Sequence, residues 1–358
     1  MTREGKKTSR LMLAAASLLA AAFLVLFAEV GLRMAGFRFD STPRYMEFNF
    51  PRPNELFEIF EPDTDTLWKL KPGVEMGPGI EPINSKGFRG PEFSEKKEEG
   101  VYRLAALGDS VTFGGVLNYP RVAAKCLGDK WEVINAGVPG YTVFQGYKQF
   151  RTRVAALKPD IVTIMFGWND HWLSRGYTDS QQKFAENENL PPGAGFLTEL
   201  RVFQIMKYAV YNAGAASKEI ENRVYRVPLD EYRRLLDRLV TDVKKSGAKP
   251  ILITAPSALD NGKVPRYLFE NGFVERELRE SEADVAAGLK SLHGKYNDAV
   301  RDMANIHGAA LIDIETSWYR RGTEELFRDP SKDIVHPNEE GYRLIGVDLC
   351  DKVEKLHQ

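Results

Sequence analysis

The hydrophobic pattern divides the chain into three zones. Leu11 to Ala28 runs without a charged side chain, and Ser17 is its only polar one. As a helix this stretch rises roughly 27 Å, close to the hydrocarbon thickness of a bilayer. From residue 37 to 100 proline, aromatic and charged residues alternate without a period. Pro43, Pro51, Pro53, Pro62, Pro72, Pro78, Pro82 and Pro91 forbid long regular elements there. Short strands are predicted only at Leu67-Trp68-Lys69-Leu70 and Ile83-Asn84. From Val101 onward short apolar runs alternate with amphipathic ones. Tyr102–Leu107, Trp131–Asn135, Ile161–Phe166, Pro250–Thr254 and Ala309–Asp313 read as five strands covered on both faces. Leu229 to Val243, Val285 to Ile306 and Tyr342 to Leu356 repeat their apolar residues at helical spacing, and Gly247 suits the stop of the first. Strand–helix alternation of this length predicts an α/β fold, a parallel sheet sandwiched by helices.

Composition narrows the function. The 358 residues carry 49 Lys+Arg against 50 Asp+Glu, a formal charge of −1, which argues against nucleic acid as a partner. The basic charge is concentrated at the start, where Arg3, Lys6, Lys7 and Arg10 face only Glu4. A basic flank before an apolar span predicts a single-pass signal-anchor with an inside amino terminus. The reading is a cytoplasmic segment over 1–10, a transmembrane helix over 11–35, a lead-in over 36–100 packed on the main domain, and an extracytoplasmic domain over 101–358. A cleaved signal peptide ending at Ala20-Ala21-Ala22 and a buried core helix are the alternatives. No cysteine follows the span closely, so a lipid-modified cysteine is not expected. Cys126 and Cys350 lack metal or redox spacing. They fall on the first and last predicted helices, and read as two buried thiols, with a bridge as the alternative. Two connections, about 172–227 and 258–281, are longer than the fold needs. The first reads as a packed helical insertion, with a cap over the pocket or a membrane-facing patch as alternatives.

In a parallel sheet the chemistry lies beyond the carboxyl ends of the strands. Gly108-Asp109-Ser110 follows the first strand, Asn135-Ala136-Gly137-Val138-Pro139-Gly140-Tyr141 the second, Gly167-Trp168-Asn169-Asp170 the third, and Asp333-Ile334-Val335-His336 comes after the fifth. Together these loops offer a hydroxyl, glycine N–H groups, a carboxamide and an Asp/His pair. Acyl transfer needs that set: a base for the serine, an acid to orient the base, and donors for the oxyanion. His336 is the candidate base, and Asp333, three residues earlier, reaches its ring if the two share a helical turn. Asp109 and Asp170 read as structural turn residues. His293 and His307 read as surface or packing residues, and His171 as either pocket lining or an exposed loop residue.

These blocks closely resemble those of the SGNH/GDSL hydrolase superfamily. The match spans residues 101–356, with GDS at 108–110, Gly140 in NAGVPGYT, Asn169 in GWND and DIVH at 333–336 in family order. The resemblance implies a three-layer α/β/α flavodoxin-like fold with a five-stranded parallel sheet, and serine esterase or lipase chemistry with no metal or cofactor. It implies Ser110 as nucleophile, His336 as base and Asp333 as its partner, with Ser110, Gly140 and Asn169 forming the oxyanion hole. Val111 stands where the family usually has leucine, a packing position. INSKGFRG ahead of GDSVTFG is similar to a membrane-anchored bacterial subgroup. The expected substrate is a small acyl ester, best an O-acetyl group of a cell-surface polysaccharide. A lysophospholipase or lipase, an acyltransferase on the same serine, and a non-catalytic binding or assembly module are the alternatives.

Overall fold

The five predicted strands form one sheet in the computed structural model, which describes residues 3–39, 58–182, 194–217, 223–259, 264–265, 268, 282–321 and 323–357. In chain order the elements begin with α1 (Arg3–Met34), β1 (Phe60–Asp63), β2 (Leu67–Leu70), β3 (Tyr102–Gly108), α2 (Ser110–Phe113), α3 (Tyr119–Leu127) and β4 (Trp131–Gly137). Next come α4 (Val143–Gln149), β5 (Ile161–Met165), β6 (Leu173–Arg175), α5 (Arg201–Ser217), β7 (Arg223–Tyr225), α6 (Leu229–Lys245) and β8 (Lys249–Ile253). The last are α7 (Glu282–His307), β9 (Ala310–Ile312), α8 (Ile314–Arg321) and α9 (Glu339–His357). The chain divides into two compact units. One holds Met1–Thr42, Arg52–Glu58 and Phe184–Glu221; the other holds the rest.

The larger unit is the α/β fold. Its sheet runs β4-β3-β5-β8-β9 with every pairing parallel. Gly108 is level with Gly137 on one side and with Met165 on the other, so three strands end at one height and release their loops together. The central strands are buried throughout, which explains their unbroken apolar runs. Leu104 and Ala106 pack in a core with Tyr119, Ala123, Ile345 and Leu349, and Ala105 and Leu107 alternate to the other face. Helix α3 lies against α9, and α6 lies between α4 and α7. Helix α6 buries Tyr232, Leu235, Leu236, Leu239, Val240 and Val243, and Gly247 (φ 90°) ends it in the left-handed region.

Two glycines at the strand ends admit no side chain. A Cβ on Gly108 would sit 1.9 Å from Thr112 Oγ1, and one on Gly137 would sit 2.4 Å from the Phe113 nitrogen. The first turn of α2 is thereby pressed against both strand ends.

The two cysteines correct the sequence reading. They are bonded to each other, with Cα atoms 6.3 Å apart, and do not stand as separate thiols. Gly346 makes the approach possible, since any Cβ there would meet Val122 at 2.4 Å. The bridge joins residues 224 apart and staples α3 to α9. Closing so long a loop restricts the unfolded chain, so reduction is expected to cost about 2–4 kcal/mol of stability. Thermal melts with and without reductant check this, and an unchanged midpoint on full reduction contradicts it.

From Ile59 onward the lead-in belongs to this unit. Strands β1 and β2 pair antiparallel, and β1 was not anticipated. Ile83 makes isolated bridges only, to Val74 and Arg89. The stretch 92–100 is exposed at most positions and is anchored at three: the buried Arg103 holds the carbonyls of Ser94 and Glu95, and Lys97 pairs with Asp160 at 2.7 Å. The 172–227 connection leaves and returns through the β6–β7 ribbon. Most of the 258–281 connection lies outside the described residues.

In the smaller unit α1 and α5 are neighbours. The 23-residue stretch Met12–Met34 is long and apolar enough to cross a membrane, and 6% of its most apolar window is buried. Its leucines and phenylalanines face outward, which corrects the core-helix alternative.

Candidate active site

Ser110 enters the site because Gly108 ends β3 and Asp109 starts a helix at once. The Asp109 carboxylate accepts the Val111 N–H at 2.9 Å, which caps α2 and leaves Ser110 as its first residue. The backbone N–H at that position has no intrahelical partner.

His336 and Asp333 arrive from a loop before α9. The pair is not in a helical turn, contrary to the sequence reading. Asp333 Oδ1 instead accepts the N–H groups of Val335 (2.9 Å) and His336 (3.0 Å), closing a side-chain turn. That leaves Oδ2 for the ring, 2.8 Å from His336 Nδ1. A carboxylate only accepts, so the proton is on Nδ1 and the lone pair of Nε2 faces Ser110 Oγ, 2.8 Å away. The loop is clamped at several points. Ala258 N–H donates to the Ile334 carbonyl at 3.0 Å and Asn338 N–H to the Leu326 carbonyl at 2.8 Å, while Asn338 Oδ1 accepts the Gly341 N–H at the start of α9.

The electrostatics follow from this arrangement. Burial alone would raise the Asp333 carboxyl, but the hydrogen bond and charge of His336 and the two backbone donors hold it below the usual range. Burial pulls His336 down, and the Asp333 carboxylate outweighs it, so the imidazole sits above its ordinary value. Asp109, fully buried, is pushed up to about 6 by desolvation, against the Val111 N–H and the nearby His336.

The remaining two predicted residues stand on the neighbouring strand-end loops. Gly140 adopts φ 81°, a conformation that favours glycine, in the turn closed by Tyr141 N–H on the Val138 carbonyl. Asn169 is buried, and its amide nitrogen donates to Asp109 Oδ2 (3.1 Å) and to the Tyr141 carbonyl (3.0 Å). Both of its hydrogens therefore have partners, and donation to a bound oxyanion requires one of them to be shared.

Sequence reasoning missed the residues that fix these donors. Trp68 of β2, fully buried, donates Nε1–H to the Pro139 carbonyl at 3.2 Å. That carbonyl shares a peptide plane with the Gly140 N–H, so the trans peptide turns the N–H away from Trp68. On the other side Arg226, also fully buried, donates to the Gly140 carbonyl at 2.7 Å and forms a two-pronged pair with Asp179. Arg89 holds the carbonyls of Gly114 (2.6 Å) and Gly115 and lies over the Phe113 ring. Each is remote in sequence from the residue it holds, so no spacing rule could have found it.

His171 differs from expectation, and His293 takes the packing alternative. Neither is on the surface or in the pocket. They are buried against Trp168, with His171 Nε2 3.1 Å from His293 Nδ1 and His293 Nε2 3.0 Å from the Ala255 carbonyl. The carbonyl fixes the proton on His293 Nε2, so His171 donates to His293 Nδ1, and burial keeps both rings neutral. They wedge the Trp168 side chain, whose Nε1 donates to the Pro256 carbonyl at 2.7 Å.

Ser110 and His336 open on a cleft of about 740 Å³. Phe113, Leu117 and Tyr342 give it apolar walls, and Arg328, Asp329, Lys332 and Glu339 also line it.

The sheet and its covering helices make a three-layer α/β/α fold, with the candidate residues on loops at the carboxyl ends of its strands. The chain matches the model of the GDSL-like Lipase/Acylhydrolase family over residues 106–344 and belongs to that family. It is 24% identical over 271 residues to the uncharacterized lipoprotein YqeF of Bacillus subtilis (strain 168), covering 70% of this chain and 89% of that one. Similar solved structures include the lipase/acylhydrolase from Enterococcus faecalis, 17% identical over 72% of this chain and 97% of that one, with a TM-score of 0.44. The acetylxylan esterase Axe2 from Geobacillus stearothermophilus is 20% identical over 72% and 96% of the two chains, with a TM-score of 0.42.

Proposed function

We propose that this protein is an anchored extracytoplasmic serine esterase that removes a small acyl group, most simply acetyl, from a cell-surface polysaccharide. The observation that carries the catalytic part is the hydrogen-bonded chain from Ser110 Oγ through His336 to Asp333, 2.8 Å at each link, within a GDSL-family fold. Ser110 Oγ attacks the ester carbonyl and its proton passes to His336 Nε2. The oxyanion is held by the N–H groups of Ser110 and Gly140 and by the Asn169 amide. His336 then gives the proton to the departing sugar oxygen, leaving an acyl-serine. Water repeats the sequence, with His336 taking its proton, to release the acid and restore Ser110.

The cleft supports the substrate class. Its charged mouth, where Asp329 pairs with Lys332 at 2.9 Å, suits a hydrated sugar. A lysophospholipid, favoured by the anchor and by the apolar walls of Phe113, Leu117 and Tyr342, is the second reading. The basic flank of α1 and the Cys126–Cys350 bridge support an extracytoplasmic domain, since disulfides persist in oxidising compartments. YqeF is named a lipoprotein, and in this chain the apolar helix α1 is the element that supports attachment to a membrane.

Acetate release from acetylated polysaccharides, compared with release of fatty acid from lysophospholipids, tests the reading. Acetate release that is lost in Ser110→Ala is expected, and fatty-acid release alone overturns the glycan assignment. Trp68→Phe keeps the ring but removes the donor that fixes the Pro139–Gly140 peptide. It is expected to lower kcat about tenfold with little change in KM, and an unchanged kcat would contradict the role given to the Gly140 N–H.

A further inference from the structure

We infer that α5 is a second membrane contact, an interfacial helix lying in the outer headgroup layer beside the end of α1. This rests on the reading of α1 as an uncleaved anchor. Glu29 is the first observation. It is buried on a helix whose other described side chains are nearly all exposed, and its carboxylate is fully engaged. Oε1 accepts Arg33 Nε at 2.7 Å on its own helix, and Oε2 accepts the Val202 N–H at 2.9 Å in the first turn of α5. Arg33 Nη2 in turn donates to the Glu199 carbonyl at 3.1 Å, just before α5 begins. A carboxylate on the N-terminal amides of a helix satisfies donors that the helix cannot satisfy itself. The end of α1 is thus joined to the start of α5 by specific polar contacts.

The level of this joint is set by α1. From Met12 to Glu29 a helix rises about 26 Å, near the hydrocarbon thickness. Glu29 and Arg33 then stand at the outer boundary, and α5 starts there. Aromatic side chains gather at the same level: Phe37 and Phe39 meet Tyr208 edge-on at 6.1 and 5.5 Å between centroids. Aromatic rings are enriched at this depth of a bilayer. Phe39 N–H also donates to Gln204 Oε1 at 3.1 Å, which fixes the chain leaving α1 along α5.

The occupant of the open face of α5 follows from what it presents and where it begins. Ile205 and Ala209, and Met206 and Val210, are stacked at a spacing of four on one face and all are exposed, Met206 by 60% and Val210 by 74%. Phe196, in the turn before the helix, is 65% exposed. The 17 residues of α5 include only two charges, Arg201 and Lys207, both basic. An apolar stripe with basic residues and no acid is the signature of a helix lying in a lipid interface. Phe23, Leu26 and Phe27, the outward-facing apolar side chains of α1, stop just short of the same joint, so the bilayer that takes α1 reaches the start of α5.

The test uses the full chain in vesicles of phosphatidylcholine and phosphatidylglycerol. Both native cysteines are bridged, so single thiols introduced as Met206→Cys, Val210→Cys, Leu19→Cys and Glu99→Cys take an environment-sensitive fluorophore selectively. The expected result at 206 and 210 is a blue-shifted emission, quenched more by nitroxides near the headgroup than by nitroxides at the chain end. Leu19→Cys is expected to show the opposite order, and Glu99→Cys neither. Deep quenching at 19 with water-like, unquenched emission at 206 and 210 overturns the interfacial helix and leaves the anchor standing. A blue shift at 206 and 210 without quenching by either nitroxide means a protein covers the face, and overturns it as well. No quenching at 19 overturns the anchor reading, and the inference with it.

Discussion

Replacing His336 by alanine is expected to lower kcat by about 10⁵–10⁶-fold while leaving the fold intact. The ring is half-buried, and its side-chain hydrogen bonds are to Ser110 and Asp333. Its removal takes nothing from the sheet or from the helix core. A serine hydroxyl is a poor nucleophile without a base on its proton, and among the described residues His336 is the base within hydrogen-bond reach of Ser110 Oγ. The residual rate would come from the oxyanion donors and binding alone. Steady-state kinetics with a melting curve of the variant check this. A loss below about a hundredfold in a folded variant would mean that another group takes the proton.

Asp333→Asn is the second large effect, and it carries a pH signature. The carboxylate holds His336 above its ordinary range, and the base works only when deprotonated. For the native chain kcat/KM is therefore expected to rise with pH through a limb whose midpoint lies above about 6.5. An asparagine removes the charge that stabilises the imidazolium, so the limb moves to lower pH. It can also present an N–H to the ring and favour the tautomer with the proton on Nε2, aimed at the serine. The plateau is then expected to fall by about 10⁴-fold. Rate–pH profiles of the two proteins measure both effects. A limb that stays in place in Asp333→Asn would show that the imidazolium does not feel residue 333. Asp109, pushed up to about 6, also charges on this limb, but the substitution at 333 moves only the part that belongs to His336.

How much of this was legible in the sequence depended on how local the cause was. The sheet was readable because each strand is a short apolar run whose burial on both faces needs no knowledge of its partners. Helix α6 was readable for the same reason, with its six buried residues at helical spacing and its stop at Gly247. The strand-end loops exposed Ser110, Gly140, Asn169, Asp333 and His336, since turn residues beside a strand end announce themselves. What supports those residues was not readable. Trp68 lies 71 residues from the peptide it orients, and Arg226 lies 86 from Gly140. Their partners are backbone carbonyls, which leave no mark on a sequence. Asp333 and His336 were paired by spacing, but a side-chain turn, not a helical one, brings them together, and three-residue spacing fits both. The cysteine bridge needed the distance between α3 and α9, which Gly346 sets from the middle of a helix. His171 was read as pocket lining or an exposed loop residue because it follows a turn, and the wedge it forms with His293 crosses 122 residues.

The most direct test of the central claim is a fluorophosphonate probe on the detergent-solubilised full chain, with the adduct mapped by mass spectrometry. An activated serine in the proposed arrangement predicts a single adduct on Ser110, absent from His336→Ala and Asp333→Asn under the same exposure. A folded chain that takes no adduct, or takes it on another serine, would contradict the assignment of Ser110 as the nucleophile.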